Sequence, residues 1–328
     1  MNFSETKPVD TTPFTEKREA FGDYTKIIVL NKKTGYSIEI IPEKGAKING
    51  LSYTKDDEVF QMIEGYNTPE ETEKSSGSRS SILAPFPNRI EDGTYSHNNI
   101  QHQLPIDKPN ENNSIHGFIQ HEKFSVIESS QTGNSYEVLL RHESQGDKKG
   151  YPFPFTMDIV YRLTENGLET EITVTNTGNE SMPFGHGWHP YFKTEGSVDE
   201  LELQMSDVEK IEVDGRLIPT GKKTNYDNFV TPKQIEEIKF DTGFEFTSEN
   251  REVILIDRKN NIKILVSMSD SNNTYNYVQL YIPPDRNSIA IEPMSCATNA
   301  FNNGMGLKVI EPGEKFIGKY NVGVSTIS

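Results

Sequence analysis

The chain of 328 residues has one cysteine, one tryptophan, six alanines and fifteen leucines. A single cysteine, Cys296, allows no intramolecular disulfide, which points to a reducing, cytoplasmic setting. Ala and Leu together number 21, against 78 Ile, Val, Phe and Tyr. Helices favour the first pair, and pleated sheets favour β-branched and aromatic side chains. That balance argues against a helical bundle and against Rossmann or barrel-type α/β chains. Positive charge is also scarce. Lys and Arg number 33 against 49 Asp and Glu, a net charge of −16, with no basic cluster of the kind that displaces counterions from nucleic acid. No run of 18 apolar residues is present, so no membrane helix is expected. The N-terminal residues MNFSETKPVD lack an apolar core, so no signal peptide is expected.

What is present is period-two patterning. Ile172 and Val174 alternate with Thr173 and Thr175, and Val278, Leu280 and Ile282 alternate with Gln279 and Tyr281, as half-buried strands require. Tyr24–Leu30 with Tyr36–Ile41, and Glu252–Asp257 with Ile262–Met268, read as hairpins. Asn49-Gly50, Asn166-Gly167, Asp92-Gly93 and Asp214-Gly215 are turn signals. Thr231-Pro232 predicts a short helix running to Lys239. Residues 1–23, polar and rich in Pro and Thr, read as a loose arm. No linker divides the rest, so residues 24–328 are expected as one large antiparallel β-sandwich with few short helices.

Four segments depart from strand filler: APFPNRI at 84–90, SIHGF at 114–118, PFGHGWHPYF at 183–192 and AIEPMSCATN at 290–299. Each sets a titratable or cationic side chain among Gly, Pro or aromatics, a composition suited to a shaped pocket. His189, between Trp188 and Pro190, reads equally as a general acid or base and as a packed strand-end histidine. His186 and His189 form an H-x-x-H pair, but the Gly between them and the Pro after them oppose a helix, and no third ligand has metal spacing. His116 and Arg89 read by themselves as an ordinary loop histidine and a paired arginine. Glu292 ends the apolar strand Ile289-Ala290-Ile291, where partial desolvation would raise its pKa and make it a better base.

In order, these motifs resemble the aldose 1-epimerase (galactose mutarotase-like) family. PFPNRIEDGTY at 85–95, IHGF at 115–118, YPFPFTMDIVYRL at 151–163, GWHPYF at 187–192, IEPMSCATNAFN at 291–302 and PGE at 312–314 carry the resemblance across residues 24–325. It implies a galactose mutarotase-like supersandwich, and α/β anomer interconversion of an aldose with no cofactor and no metal. It implies Glu292 as the base at the C1 hydroxyl and His189 as the acid at the ring oxygen. His116 and Arg89 would bind sugar hydroxyls, Asp241 is the best match to a substrate-binding aspartate, and Trp188, Tyr191 and Phe192 could pack on the pyranose. The expected partner is a neutral monosaccharide, with no nucleic acid or membrane partner, for a monomer or homodimer.

Two flanking differences, Lys193-Thr194 after the histidine motif and Pro293-Met294 after the acid, keep other readings in view. One is a sugar-binding protein without catalysis. Another is a hexose-phosphate mutarotase, for which Arg79 and Lys193 are the nearest spare cations. A glycosidase with paired carboxylates fits less well, since one acid and one histidine stand out.

Overall fold

The computed structural model describes residues 13–270 and 272–327. Strand dominates, as the composition requires. The described residues form sheets of five, nine and eight strands and three two-stranded ladders. The five-stranded sheet is a meander from Phe14–Phe21 to Glu58–Gln61. The nine-stranded sheet runs from Ser125–Thr132 at one edge through Leu168–Asn176 and Lys315–Ser325 to Lys233–Gln234 at the other. The eight-stranded sheet carries Asp241–Phe246, Tyr277–Tyr281, Ile289–Met294, Gly187–His189 and Ser81–Leu83 side by side. Its ladders are antiparallel.

Alternation decides which face is buried. In Pro154–Leu163, Phe155, Met157, Ile159, Tyr161 and Leu163 are buried and their neighbours half-exposed. Lys315–Ser325 repeats the pattern. The nine- and eight-stranded sheets meet through these apolar faces. Trp188 of one stacks on Tyr320 of the other, with ring centroids 5.2 Å apart. One apolar cluster extends from Phe14 to Val324. Ile289–Met294 is buried along its whole length, so both of its faces are covered.

Three local expectations change. Phe14–Phe21, expected within a loose arm, is a strand paired with Tyr24–Asn31; residues 1–12 of that arm lie outside the described residues. Asn49-Gly50 makes no turn but lies inside the strand Lys47–Lys55. Glu39 faces Gly50 and Ile40 faces Ile48, so Asn49 is the extra residue of a bulge. The segment 231–239 forms no helix. Lys233–Gln234 pairs with Glu202–Leu203, and the amides of Ile235 and Glu236 donate to Leu201 and Asp199 carbonyls. A nine-residue helix is marginal alone, and an open sheet edge offers its backbone partners. The Thr-Pro helix start occurs instead at Thr68-Pro69, where the Thr68 hydroxyl accepts from Glu71 N–H and opens the helix Pro69–Lys74.

Lys47, fully buried, donates from Nζ to Ser81 Oγ at 2.7 Å and to the Arg79 carbonyl at 3.1 Å. Burial, and then the charge of Lys44, push its pKa down to about 7. The folded state thus holds this proton less tightly than the unfolded chain. Its cost to stability is full below pH 7 and fades as pH rises from 7 towards 10.5, at about 1.4 kcal/mol per unit. Lys47→Met is expected to raise the melting temperature at pH 7, with a gain over wild type that shrinks by pH 10. Melting curves of both proteins across that range check this, and a gain independent of pH contradicts it.

Candidate active site

One row of residues crosses the eight-stranded sheet on the face away from the core. Gly243 pairs with Gln279, and Gln279 with Glu292. Gly187 pairs with Met294, and the same antiparallel register two residues on sets His189 opposite Glu292. His189 pairs with Ser81. Side chains directly opposite on one face lie about 5 Å apart at Cβ, and here the tips meet. His189 Nε2 is 3.3 Å from Glu292 Oε1. Neighbouring strands bring them into contact, so a ligand must approach both from the open side of the sheet.

That open side is a cleft of about 640 Å³, within the range of small-molecule sites. Glu292, His189, His116, Arg89 and Asp241 all line it. Glu292 and His189 are both buried, at 2% and 6% exposure. Burial pushes the Glu292 carboxyl well up, with Asp241 adding to the effect. Burial also pushes His189 down to about 3, with a further push from Lys47 and Lys108. Both shifts favour the neutral forms, a protonated carboxyl beside a neutral imidazole. Among the described residues Glu292 Oε2 and His189 Nδ1 have no hydrogen-bond partner. Tyr191 stacks behind His189, centroids 4.9 Å apart and 19° between planes, and its hydroxyl donates to the Gly77 carbonyl.

His116 is locked by backbone. Its N–H donates to the Asn88 carbonyl at 2.9 Å, and Asn88 N–H donates to His116 Nδ1 at 3.1 Å. An accepting Nδ1 leaves the proton on Nε2, so the ring offers the cleft a donor. The lock needs left-handed backbone at Asn88, His116 and Gly117, with φ of 57°, 64° and 63°. At Gly117 a Cβ would stand 2.1 Å from the Ala84 carbonyl oxygen, so only glycine fits. The His116 and His189 rings meet edge to face at 5.4 Å. Burial, then His189 and Arg89, push the His116 pKa well down.

Arg89 begins a short strand paired with Asn113–Ile115. It donates from Nε to Glu111 Oε2 at 2.6 Å and from Nη1 to Asn88 Oδ1 at 3.0 Å. Asp241 is exposed at the rim, where Gln279 Nε2 donates to its Oδ1 at 2.9 Å.

Trp188 does not join them. It follows Gly187 and precedes His189 in the same strand, so period two turns its indole to the opposite face, where it is fully buried against Tyr320 and Phe192. Phe192 is likewise in the core, leaving Tyr191 as the aromatic of that motif in the cleft. His186 also faces inward, its Nδ1 2.8 Å from the Tyr275 hydroxyl. Among the described residues no three His, Cys, Asp or Glu side chains form a metal-binding group. Arg79 pairs with Glu64 at 2.8 Å, and Lys193 lines a separate cavity beside Asn67. The cleft's lysines are Lys74 and Lys108. Gln279, Glu111 and His121 also line it and were not singled out in the sequence. A buried glutamine on the polar side of an alternating strand was the one local signal, whereas Glu111 and His121 look like ordinary loop residues.

The β-sandwich thus holds a carboxyl–imidazole pair at the floor of a polar cleft. The sequence profile of the aldose 1-epimerase family matches residues 26–322, and the chain belongs to that family of isomerases. It is 30% identical over 240 residues to YihR, an uncharacterised protein of Escherichia coli K12, covering 71% of this chain and 75% of that one. It is 25% identical over 234 residues to an aldose 1-epimerase of Streptococcus thermophilus, covering 68% and 66%. In fold it resembles a galactose mutarotase-like protein of Clostridium acetobutylicum, with a TM-score of 0.85, 21% identity and coverage of 96% and 98%. It also resembles galactose 1-epimerase of Lactobacillus acidophilus, with a TM-score of 0.80, 18% identity and coverage of 96% and 99%.

The core placement of Trp188 has a direct consequence. Trp188→Phe is expected to cost about 2 kcal/mol of stability while leaving sugar affinity within twofold, read by denaturant titration and by calorimetric sugar binding. A tenfold loss of affinity at unchanged stability contradicts this placement.

Proposed function

We propose that this chain interconverts the α and β anomers of a neutral aldose by opening and closing the ring, with Glu292 and His189 as the acid–base pair. The observation that carries the reading is their 3.3 Å contact at the floor of the cleft. Between them the two groups hold one proton. With that proton on His189, Glu292 takes the proton of the C1 hydroxyl as His189 protonates the ring oxygen. The C1–O5 bond breaks, and the open-chain aldehyde forms beside a protonated carboxyl and a neutral imidazole. Those are the forms that burial favours, so the protein environment matches the ring-opened state. Rotation about C1–C2 presents the other carbonyl face, and the protons return as the ring closes.

His116 Nε2–H and the free N–H groups of Arg89 supply donors to sugar oxygens, and Asp241 with Gln279 supplies acceptors at the rim. In the cleft Asp107, Glu111 and Asp241 match Lys74, Arg89 and Lys108 in number, and Arg79 and Lys193 lie outside it, so no surplus of positive charge favours a phosphorylated sugar over a neutral one. We place the protein in the cytoplasm, as a monomer or homodimer acting on free monosaccharide; the single, buried Cys296 suits a reducing compartment.

Each proton transfer is worth about 10²–10⁴ in rate. Polarimetry on freshly dissolved α-anomers of a panel of aldoses is expected to show faster relaxation with the protein, reduced at least 100-fold by Glu292→Gln and by His189→Gln. Calorimetric binding of those sugars without any rate effect would instead mark a sugar-binding protein and overturn the enzymatic reading.

A further inference from the structure

We propose that Glu111 is a positioning residue that aims the Arg89 guanidinium into the cleft, and that Arg216, outside the cleft, holds Glu111 in place. The proposal rests on the mutarotase reading for its kinetic test only. Arg89 is almost fully buried, with a side-chain exposure of 9%. Its guanidinium has five N–H groups. Nε donates to Glu111 Oε2 at 2.6 Å, Nη2 to Glu111 Oε1 at 3.4 Å and Nη1 to Asn88 Oδ1 at 3.0 Å. Three donors are thereby taken, and one on each terminal nitrogen stays free for a ligand. The two-point contact with Glu111 fixes the plane of the fork, so those two donors point one way. With Asn88 as the only partner, the guanidinium could swing about a single hydrogen bond.

Glu111 sits in an exposed turn, residues 109–112, closed on itself by backbone bonds: the amides of Lys108 and Asn113 donate to each other's carbonyls, and Glu111 N–H donates to the Lys108 carbonyl. Arg216 anchors this closed turn to the neighbouring ones. Its Nε donates to the Glu111 carbonyl at 3.0 Å. Its Nη2 donates to Asn113 Oδ1 at 2.9 Å and to Asp92 Oδ1 at 2.8 Å, and Asn113 Nδ2 returns a bond to the Arg216 carbonyl at 3.3 Å. Arg216 is in turn fixed by Asp214, whose Oδ1 accepts from the amides of Arg216 and Ile218. One side chain thus ties the Asp92 turn, the Glu111 turn and the Asp214–Ile218 turn together at the cleft wall. Arg216 is not among the cleft residues, so it reaches a ligand only through the turns it ties together, the Glu111 turn among them.

Glu111→Gln, Glu111→Asp and Arg216→Ala test this, with the sugar that wild type relaxes fastest. A charge-assisted contact of this kind is worth about a 10- to 100-fold change. Glu111→Gln is expected to raise KM by that factor with kcat within threefold of wild type, Glu111→Asp to recover part of the loss, and Arg216→Ala to raise KM to a lesser degree. In an Arg89→Lys background, Glu111→Gln is expected to add nothing. An unchanged KM, or losses that multiply in that background, overturns the proposal. A second readout is independent of catalysis. In proton–nitrogen spectra the Arg89 Nε–H is expected as a slowly exchanging signal that disappears in Glu111→Gln. If that signal persists unchanged, the positioning role is wrong whatever the kinetics show. If no sugar relaxes faster with wild type, the mutarotase reading fails and the Arg89 signal alone decides the positioning.

Discussion

The structure depends on one cross-strand pairing. Ile289–Met294 is buried on both faces, one against the core and one under the cleft, and its register with Gly187–His189 sets a carboxyl against an imidazole in a place shielded from water. Shielding alone would make either charge costly. Burial pushes the carboxyl up and the imidazole down, so both can be neutral and the pair tolerates burial. The burial that would penalise an isolated carboxylate thus suits the acid–base couple we propose.

The rest of the molecule serves to keep that register. Isoleucine and valine on the hidden side of the eight-stranded sheet, with Trp188 against Tyr320 of the opposing sheet, leave the strands no freedom to slip, because a one-residue slip would exchange core and cleft faces. Loops then add what the sheet cannot. The Asn88–His116 lock relies on left-handed backbone at both residues, and Gly117 is tolerated at its close approach to Ala84 because it has no side chain. These are strained, over-determined positions of the kind found where a ligand must be met with fixed geometry.

Much of this could be read from the chain before folding. The β class followed from the shortage of Ala and Leu, and the four unusual segments do meet in one cleft, because antiparallel neighbours carry them there. What misled was local. Trp188 stands in an aromatic motif beside His189, but adjacency in sequence is not adjacency in the pocket, because period two places neighbours on opposite faces. Thr231-Pro232 imitated a helix start, but an open sheet edge claimed the backbone. The residues of strand Phe14–Phe21 are mostly polar and partly exposed, so no apolar alternation marked them. Glu111 and Arg216 were invisible for a different reason. Their importance lies in contacts between turns more than 100 residues apart, and neither has a local pattern that sets it apart from the other charged residues of an acidic surface.

The central claim is that Glu292 and His189 act as one unit sharing one proton. The most direct test is the double variant Glu292→Gln/His189→Gln beside each single variant, with anomer exchange followed by polarimetry on the same sugar. If the pair is a unit, removing either partner disables the shared proton, and the double variant loses no more than the more damaged single one. Losses that multiply in the double variant would show two independent groups and contradict the account.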